Sequence, residues 1–246
     1  MNASVTSPRR AAFREGVWAQ FLAFVRRPAL PDRAVGIRAQ AWGVLAKLLV
    51  LDILVMCALM ALFSAAFRLG IPAPHSLLEH LKLSPALLGF IAIGAPFAEE
   101  LIFRSWQSGR SGHIGALLLT LATLGIAFVT LSDGRSAPRV FAALGVLVVG
   151  LGLAAWWLWK QRGRPAMPWF QRQFAWFYYG ATFVFAAIHI TNFAGVSLAL
   201  LPLTLPQFSI GLMLGYVRVR FGLWADVLLH VAHNGLFLML VAASTH

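Results

Sequence analysis

Charged residues are scarce in this sequence. Its 246 residues include 20 Lys and Arg and only 8 Asp and Glu, which together make 11% of the chain, whereas 60% of the residues are hydrophobic. A soluble domain carries about a quarter charged and about half apolar residues. The charges also lie between long uncharged runs. This pattern is typical of a protein that crosses a membrane several times, and it excludes an ordinary soluble globule.

Cysteine is almost absent as well. The single cysteine, Cys57, lies inside an apolar run, so the sequence has neither a disulfide framework nor a pair of cysteine ligands for zinc. We find no internal repeat, glycine-rich phosphate loop or nucleotide-binding fingerprint. The net charge of +12 could suggest a nucleic-acid partner. Because the arginines lie between apolar segments and not on one charged face, we exclude nucleic acid as a partner.

Long apolar runs fill most of the chain. A helix needs about 20 apolar residues to cross the hydrocarbon core of a bilayer, and we place seven such runs near residues 43–67, 86–108, 113–132, 138–159, 177–197, 200–217 and 222–243. We expect the turn between the fifth and sixth runs to begin at Gly195. The sequence therefore predicts an all-α fold, a bundle of about seven transmembrane helices that forms one membrane-embedded domain over residues 41–246.

A basic leader, residues 1–40, precedes the first span. Within it Phe13, Val17, Phe21 and Val25 recur at helical spacing and are flanked by arginines. This pattern predicts a short amphipathic helix in the membrane interface. A disordered basic tail is the alternative. The leader is too long for the basic region of a signal peptide, and the apolar run that follows is too long for its hydrophobic region, so we expect no cleaved signal.

The basic residues also indicate an orientation. If the N-terminus is cytoplasmic, fifteen Lys and Arg residues fall on the cytoplasmic side and four on the other side, with Lys47 inside the first span. The positive-inside rule then predicts a cytoplasmic N-terminus and an external C-terminus. We expect an integral multi-pass protein of the plasma (inner) membrane.

Polar side chains inside the spans are the candidates for function. An ionisable group in a spanning helix costs at least about 2.5 kcal/mol on insertion scales, so each needs a partner, a wet cavity or a function. The sequence has few of them: Lys47 and Asp52 in the first span, Glu99 and Glu100 in the second, His189 in the fifth, and Asp226, His230, His233 and Asn234 in the seventh.

Two adjacent carboxylates lie in the second span. Neighbouring helical residues point about 100° apart, so Glu99 and Glu100 cannot serve the same partner. Glu100 and Arg104 are spaced i,i+4 with the acid first, which favours an ion pair. Glu99 is then either a general base or an interfacial carboxylate that contacts Arg110 or a lipid headgroup. Pro96, which opens the helix just before the acids, favours the general base.

Histidines occur in the fifth and seventh spans. His189 follows Phe185 by four residues, and a lone histidine at such a position is more often a packing residue than a catalyst. Asp226, His230 and Asn234 are spaced i, i+4 and i+8, so they share one helix face. Because three polar groups in contact with lipid would be very costly, this face must point into the protein or into a wet cavity.

Three short motifs occur in order along the chain, each in its own apolar helix. They are Glu99-Glu100-x-x-x-Arg104, Phe185-x-x-x-His189 and His230-x-x-x-Asn234. Together they resemble the CPBP family of intramembrane proteases, which comprises the CAAX-processing and Abi-type proteases. The likeness covers about residues 86–110 and 178–240.

The sequence departs from the family pattern in two places. Ser105 stands where a glycine commonly follows the motif arginine. The apolar segments 113–132 and 138–159 lie between the motif helices, and we interpret residues 113–159 as an inserted helix pair. Because two added spans preserve the direction of the helices that follow, the motif residues can still meet.

The resemblance implies an endopeptidase that hydrolyses a peptide bond of a protein or peptide substrate near the membrane surface. In such an enzyme Glu99 would activate water and His189 would assist it. His230 and Asn234 would stabilise the oxyanion. The residues implied as structural support are Glu100, Arg104 and Asp226. The expected partners are the lipid bilayer and the substrate, and the sequence does not indicate an oligomeric state.

A metal-dependent mechanism is the alternative to this metal-free one. Glu99, His189 and His230 could bind zinc, with water as the fourth ligand. Asn234 suits an oxyanion donor better than a zinc ligand, so we expect no cofactor and keep zinc as the second possibility.

If the motifs converge on one site, their side chains must lie at similar depths in the membrane. At about 1.5 Å per helical residue, Glu99 and His189 reach the same depth if the second and fifth spans are centred near residues 98 and 188. Spans centred at residues 94 and 183 would separate the two side chains by about 16 Å along the membrane normal, which is too far to share a water molecule.

The sequence leaves two other functions open. A proton-coupled transporter or channel could use the same carboxylates and imidazoles as a proton relay, although the two halves of the chain show no repeat. A non-catalytic membrane immunity or assembly factor could keep them as a buried polar cluster. We favour the protease because the three motifs occur as an ordered set.

Overall fold

Helices account for almost all regular structure in this protein. The computed structural model describes residues 16–77, 84–132 and 134–244. Within these ranges the chain forms helices and no strand, apart from an isolated bridge between Ser76 and Phe193. The predicted all-α fold is therefore confirmed.

The helices follow the apolar runs closely. They are α1 (Val17–Arg26), α2 (Ala39–Arg68), α3 (Pro85–Phe103), α4 (Ser111–Ser132), α5 (Ala137–Gln161), α6 (Pro168–Arg172), α7 (Phe174–Ile188), α8 (Leu205–Phe221) and α9 (Leu223–Ser244). A 3₁₀ segment extends α7 to Asn192, and another precedes α8 from Leu198. In the described part of the chain, seven of these segments are long and apolar enough to cross a membrane, which confirms a multi-pass membrane protein. Gly195 has φ +73°, as a turn at this glycine requires.

Helix α1 packs against the bundle. Phe21 is buried, and its ring makes an edge contact with Tyr216 at 5.6 Å between centroids. The indole N–H of Trp18 donates to the carbonyl oxygen of Lys47 at 2.9 Å. Phe13, the first residue of the predicted amphipathic pattern, lies outside the described residues. The location of this helix in the membrane interface stays a prediction.

Helix α8 is the central helix of the bundle. It packs against α7, α9, α2 and α1, and its side chains Ile210, Leu214 and Val217 are fully buried. Gly215 allows a close approach to α7, since a Cβ atom there would lie 2.7 Å from the ring of Tyr178. Small residues bring helices together in this way in membranes, where the hydrophobic effect does not drive their association.

Helices α4 and α5 form a tightly packed pair. A Cβ atom at Gly150 would overlap Oγ1 of Thr123. Beyond α5, the main neighbour of α4 is the 3₁₀ turn Ser105–Ser108. The two ends of the pair meet, because the N–H of Met167 donates to the carbonyl oxygen of Gly109 at 2.8 Å. The α4–α5 pair is thus attached to the rest of the protein mainly at one end.

Replacing Gly150 by alanine should destabilise the α4–α5 pair. We expect overpacking against Thr123 to cost about 1–3 kcal/mol, which exceeds the gain of about 1 kcal/mol in helix propensity. Gly152→Ala is the matched control, because a Cβ at Gly152 meets no atom within 4 Å. The midpoint of thermal unfolding in detergent should fall for the first variant and hold or rise for the second. The reverse order would contradict close packing of α4 against α5 at Gly150.

Candidate active site

A cluster of buried charged side chains lies between α3 and α9. Oε1 of Glu100 accepts hydrogen bonds from Nη1 of Arg104 at 2.6 Å and from Nδ1 of His230 at 2.7 Å. Asp226, one turn before His230, is fully buried and interacts electrostatically with Glu100. The ion pair of Glu100 and Arg104 predicted from their spacing is therefore confirmed, and the same carboxylate also holds the imidazole of α9.

Glu99 lies on the other side of this imidazole. Its side chain is 29% exposed, and its Oε2 lies 3.7 Å from Nε2 of His230, beyond direct hydrogen-bond distance. His230 therefore stands between the buried carboxylate of Glu100 and the accessible carboxylate of Glu99. Arg110, the alternative partner proposed for Glu99, instead donates to the backbone oxygen of Asp32 at 3.4 Å.

His189 lies where α7 changes into a 3₁₀ turn. Its Nδ1 is 2.7 Å from the carbonyl oxygen of Phe185. A carbonyl oxygen only accepts, so Nδ1 carries the hydrogen, and the Nε2 atom of a neutral ring is left as an acceptor. His189 also interacts electrostatically with Glu99 and with His230. The structure thus brings three of the predicted catalytic side chains into one region.

The prediction of where the second and fifth spans must be centred for Glu99 and His189 to meet was wrong. The second and fifth spans are centred at residues 94 and 183, the combination for which the arithmetic separates Glu99 and His189 by about 16 Å. The two side chains are nevertheless close enough to interact electrostatically, and both interact with His230. The arithmetic assumed that the midpoints of all spans share one depth, and these spans do not meet that assumption.

Phe185 connects the three motif helices through its ring. The guanidinium carbon of Arg104 lies 4.0 Å from the centroid of this ring, which is a close cation–π contact. The rings of His189 and His230 lie 5.0 and 5.7 Å away, both in edge orientation. Phe185 is 1% exposed, so it fixes the positions of both imidazoles without contacting water.

Asn234 binds a backbone group that Pro96 leaves without a partner. The turn before Pro96 is a π-helix, in which the N–H of Ala95 bonds to the carbonyl oxygen of Phe90, five residues back. The next N–H in this ladder would belong to residue 96, and proline has none. The oxygen left over is that of Ile91, and Nδ2 of Asn234 donates to it at 2.9 Å. Nδ2 carries two hydrogens, so one remains for the predicted oxyanion role.

This arrangement predicts a coupled pair of substitutions. Asn234→Ala should cost about 1–3 kcal/mol, because the carbonyl of Ile91 loses its donor. Pro96→Ala restores a backbone N–H that can reach the same oxygen, so the double variant should lose less stability than the sum of the two single variants. Thermal unfolding of the four proteins in detergent measures the coupling. Simple additivity would show that Asn234 does not replace the missing N–H of Pro96.

A hydrogen bond between an imidazole and a carboxylate joins α2 to α9. His233, which the helix spacing places off the face of His230, has its Nδ1 2.5 Å from Oδ2 of Asp52. Asp52 is 2% exposed. Its own helix offers no partner for this carboxylate, so sequence reasoning missed the pair. The signal was present in the sequence as one unpaired acid and one unassigned histidine in two different spans.

Arg218 is another residue of the site that sequence reasoning missed. The sequence indicates only one of the cytoplasmic positive charges at this position, but the side chain is buried and reaches α3. Its Nε donates to the carbonyl oxygen of Arg104 at 2.7 Å, and its Nη2 donates to that of Ser105 at 2.9 Å. The last carbonyls of a helix have no partner within the helix, and a cation there is favourable. Arg218 therefore fixes the end of α3 that carries Glu99 and Glu100.

The fit of a metal ion can be tested on the same side chains. Zinc sites in proteins use three or four His, Cys, Asp or Glu ligands about 2.0–2.3 Å from the ion. Among the residues that the structure describes, no group of three or more such side chains is arranged to hold a metal ion. Glu99, His189 and His230 therefore do not fit a zinc ion in this arrangement.

Comparison with known proteins finds a family similarity for part of the chain. Residues 162–236 match a family model described as type II CAAX prenyl endopeptidase Rce1-like. The matched range contains His189, His230 and Asn234 and begins at the end of the α4–α5 pair. Searches of curated proteins and of solved structures gave no match. The match confirms the resemblance to the CAAX-processing proteases of the CPBP family.

Proposed function

We propose that this membrane protein of the CAAX-processing protease type is an intramembrane endopeptidase that hydrolyses a peptide bond of a protein or peptide substrate near the membrane surface. One observation carries the proposal. The imidazole of His230 contacts the buried carboxylate of Glu100 through Nδ1 and faces the accessible carboxylate of Glu99 through Nε2. A base, a fixed imidazole and access for water are the minimum that amide hydrolysis needs.

Glu99 is the proposed general base. It accepts a proton from a water molecule while the water oxygen attacks the carbonyl carbon of the scissile peptide bond, which gives a tetrahedral oxyanion. Glu99 then donates this proton to the amide nitrogen as the C–N bond breaks, which gives a carboxylic acid and an amine; transfer of the acid proton to the amine leaves a carboxylate and an ammonium group. His189 assists by accepting a hydrogen bond from the attacking water on its free Nε2.

His230 and Asn234 are the proposed oxyanion donors. Glu100 accepts from Nδ1 of His230, so Nε2 donates to the substrate oxygen only when the ring is doubly protonated, as an imidazolium; the proposed oxyanion role therefore requires the imidazolium form. Nδ2 of Asn234 donates one of its two hydrogens to the carbonyl oxygen of Ile91, so the second hydrogen can be donated to the substrate oxygen. A negative charge that develops between two fixed donors in a site with little water is stabilised more strongly than in solution.

Along α3 and α9 the proposed site lies closer to one end of the bundle, whereas His189 directly follows Ile188 at the opposite end of α7. Glu99 precedes the last residue of α3, Phe103, by four residues, and His230 follows the first residue of α9, Leu223, by seven. These separations correspond to about 6 and 10 Å along the helices. This is the end that carries Arg218, which the charge bias predicts to be cytoplasmic. From the positions of Glu99 and His230 we propose that cleavage takes place in the cytoplasmic half of the membrane.

Reconstituted protein tests the proposal. Purified protein in proteoliposomes is incubated with peptides that end in a CAAX-type sequence, with and without a prenyl group on the cysteine, and the products are identified by mass spectrometry. We expect one new C-terminus that appears only with the active protein. Metal analysis of the same sample and the effect of a chelator decide between the metal-free and zinc mechanisms.

A proton-coupled transporter is the second candidate, and one observation favours it. The rings of His230 and His233 lie 6.3 Å apart, so carboxylates and imidazoles form a row from Glu100 to Asp52. Such rows relay protons in transporters. Proton-coupled flux into sealed vesicles without any peptide cleavage would support this candidate and contradict the protease.

A further inference from the structure

A cavity of about 710 Å³ lies between α3 and the α4–α5 pair. Leu101 of α3 and Ser105 of the following 3₁₀ turn line it, one residue after Glu100 and Arg104 respectively, so the cavity and the charged cluster lie on different sides of this segment. The volume is within the range of about 300–1,000 Å³ that is typical of ligand sites. The proposed peptidase chemistry does not use this cavity.

The attachment of the α4–α5 pair explains why the cavity exists. Glycines bring α4 and α5 into close contact, whereas the main contact of α4 with the rest of the protein is the turn Ser105–Ser108. Beyond this turn, the sides of α4 and α5 that face α3 are therefore separated from α3. The side chains that line an empty apolar gap lose dispersion contacts. In a bilayer, lipid molecules are available to fill such a gap.

The walls of the cavity suit a hydrocarbon chain. They follow α4 from His113 to Thr120 and α5 from Leu151 to Leu158, which is a depth of about 10 Å along each helix. Most of the side chains that line them are leucine and alanine. The helical backbone around the cavity is already hydrogen-bonded, so a peptide placed in it would leave its own N–H and C=O groups without partners. An acyl chain has no such requirement.

The mouth of the cavity is positively charged. Arg33, Arg110 and Arg218 line it, and Asp32 is the only acidic residue among the lining side chains. The carboxylate of Asp32 already accepts a hydrogen bond from Nε2 of Gln171 at 3.0 Å. Arg218 is engaged with the end of α3. Arg110 has a contact of this kind, from its Nη2 to the carbonyl oxygen of Asp32 at 3.4 Å, and its other guanidinium hydrogens together with Arg33 are the donors best placed to bind an anion at the mouth.

We propose that this cavity binds an anionic phospholipid of the surrounding membrane. The phosphate lies at Arg33 and Arg110, and one acyl chain fills the apolar space along α4 and α5. The mouth is at the basic end of the bundle, where an anionic leaflet is expected. The bound lipid supports the α4–α5 pair and the end of α3 that Arg218 holds.

Lipid binding by variants tests this proposal. The full chain is purified, delipidated in detergent and titrated with phosphatidylglycerol or phosphatidylcholine, and bound lipid is counted by native mass spectrometry. We expect one phosphatidylglycerol to bind in preference to phosphatidylcholine. Arg33→Gln with Arg110→Gln should weaken phosphatidylglycerol binding about 10- to 30-fold. The matched control is Arg164→Gln with Arg172→Gln, two exposed arginines that do not line the cavity. An equal loss in this control would overturn the proposal, since it would show surface attraction only.

A second pair of variants tests the acyl-chain site separately. Ala116→Phe places a ring in the cavity without changing any charge, whereas Leu118→Phe enlarges an exposed residue of the same helix. We expect the first variant to lose the bound lipid and the second to retain it, with both unfolding as cooperatively as the wild type. Retention of phosphatidylglycerol by Ala116→Phe, or displacement of the lipid by a substrate peptide, would overturn the proposal. A peptidase assay on the same samples reports independently on the proposed function.

Discussion

Glu99→Gln is expected to abolish peptide-bond cleavage and to leave the protein folded. The amide has the shape of the carboxylate but cannot accept the proton of the attacking water, and loss of a general base reduces turnover by about 10²- to 10⁴-fold. Glu99 is partly exposed, and its nearest described ionic partner, His230, is 3.7 Å away. The substitution therefore breaks no direct hydrogen bond with this partner. The measurement is kcat in proteoliposomes, together with thermal unfolding of both proteins.

A matched carboxylate serves as the control for this experiment. Glu15→Gln makes the same change to an acid of the basic leader, far in sequence from the three motifs, and should leave turnover within about threefold of the wild type. Turnover of Glu99→Gln at the wild-type level would assign the base to another residue and would remove the main support for the proposed mechanism.

Arg104→Met is expected to produce the largest loss of stability. It removes the guanidinium 2.6 Å from Glu100 and leaves a fully buried carboxylate with His230 as its remaining ionic partner. Breaking a buried ion pair from one side costs about 3–5 kcal/mol. The midpoint of thermal or denaturant unfolding in detergent measures this loss.

The double variant gives this prediction its control. Glu100→Gln keeps an acceptor for His230 but removes the charge, so Arg104→Met combined with Glu100→Gln should be more stable than Arg104→Met alone. The coupling between the two substitutions is the interaction free energy of the pair. If the double variant is less stable than the wild type by the sum of the two single losses, then the two side chains act independently and the buried pair is not the reason for the effect.

Much of the fold could be predicted because it depends on local sequence. The length of each apolar run determines whether a helix crosses the membrane, so all seven spans follow from hydropathy. The ion pair of Glu100 and Arg104 follows from helical spacing within one segment. Residues three or four apart are neighbours on any helix, whatever surrounds it.

Contacts between helices could not be predicted in the same way. The bonds of His230 with Glu100 and of His233 with Asp52 connect residues that are 130 and 181 positions apart. Helical periodicity states which residues share a face, but it does not state which helix that face meets or how far each helix is shifted along its axis. The incorrect prediction of the span centres has the same cause, because the shift of α7 relative to α3 is not encoded in either segment alone.

Pro96, which precedes the two acids, has one local effect that could be predicted and one contact between helices that could not. The sequence shows that Pro96 opens its helix, because the missing N–H is a local property. It does not show that a π-turn moves the free carbonyl to Ile91, nor that the donor comes from Asn234 in another span. The role of Asn234 in binding the oxyanion stays a prediction.

The backbone bond between Met167 and Gly109 has a consequence for how such a chain can change during evolution. Everything from residue 110 to residue 166 departs from and returns to this single point. Segments whose two ends lie together are gained and lost most readily, because the path of the remaining polypeptide is unchanged. A shorter ancestor or descendant without this segment would keep the same arrangement of acids, imidazoles and amide, although the residues after the segment would carry numbers lower by 57.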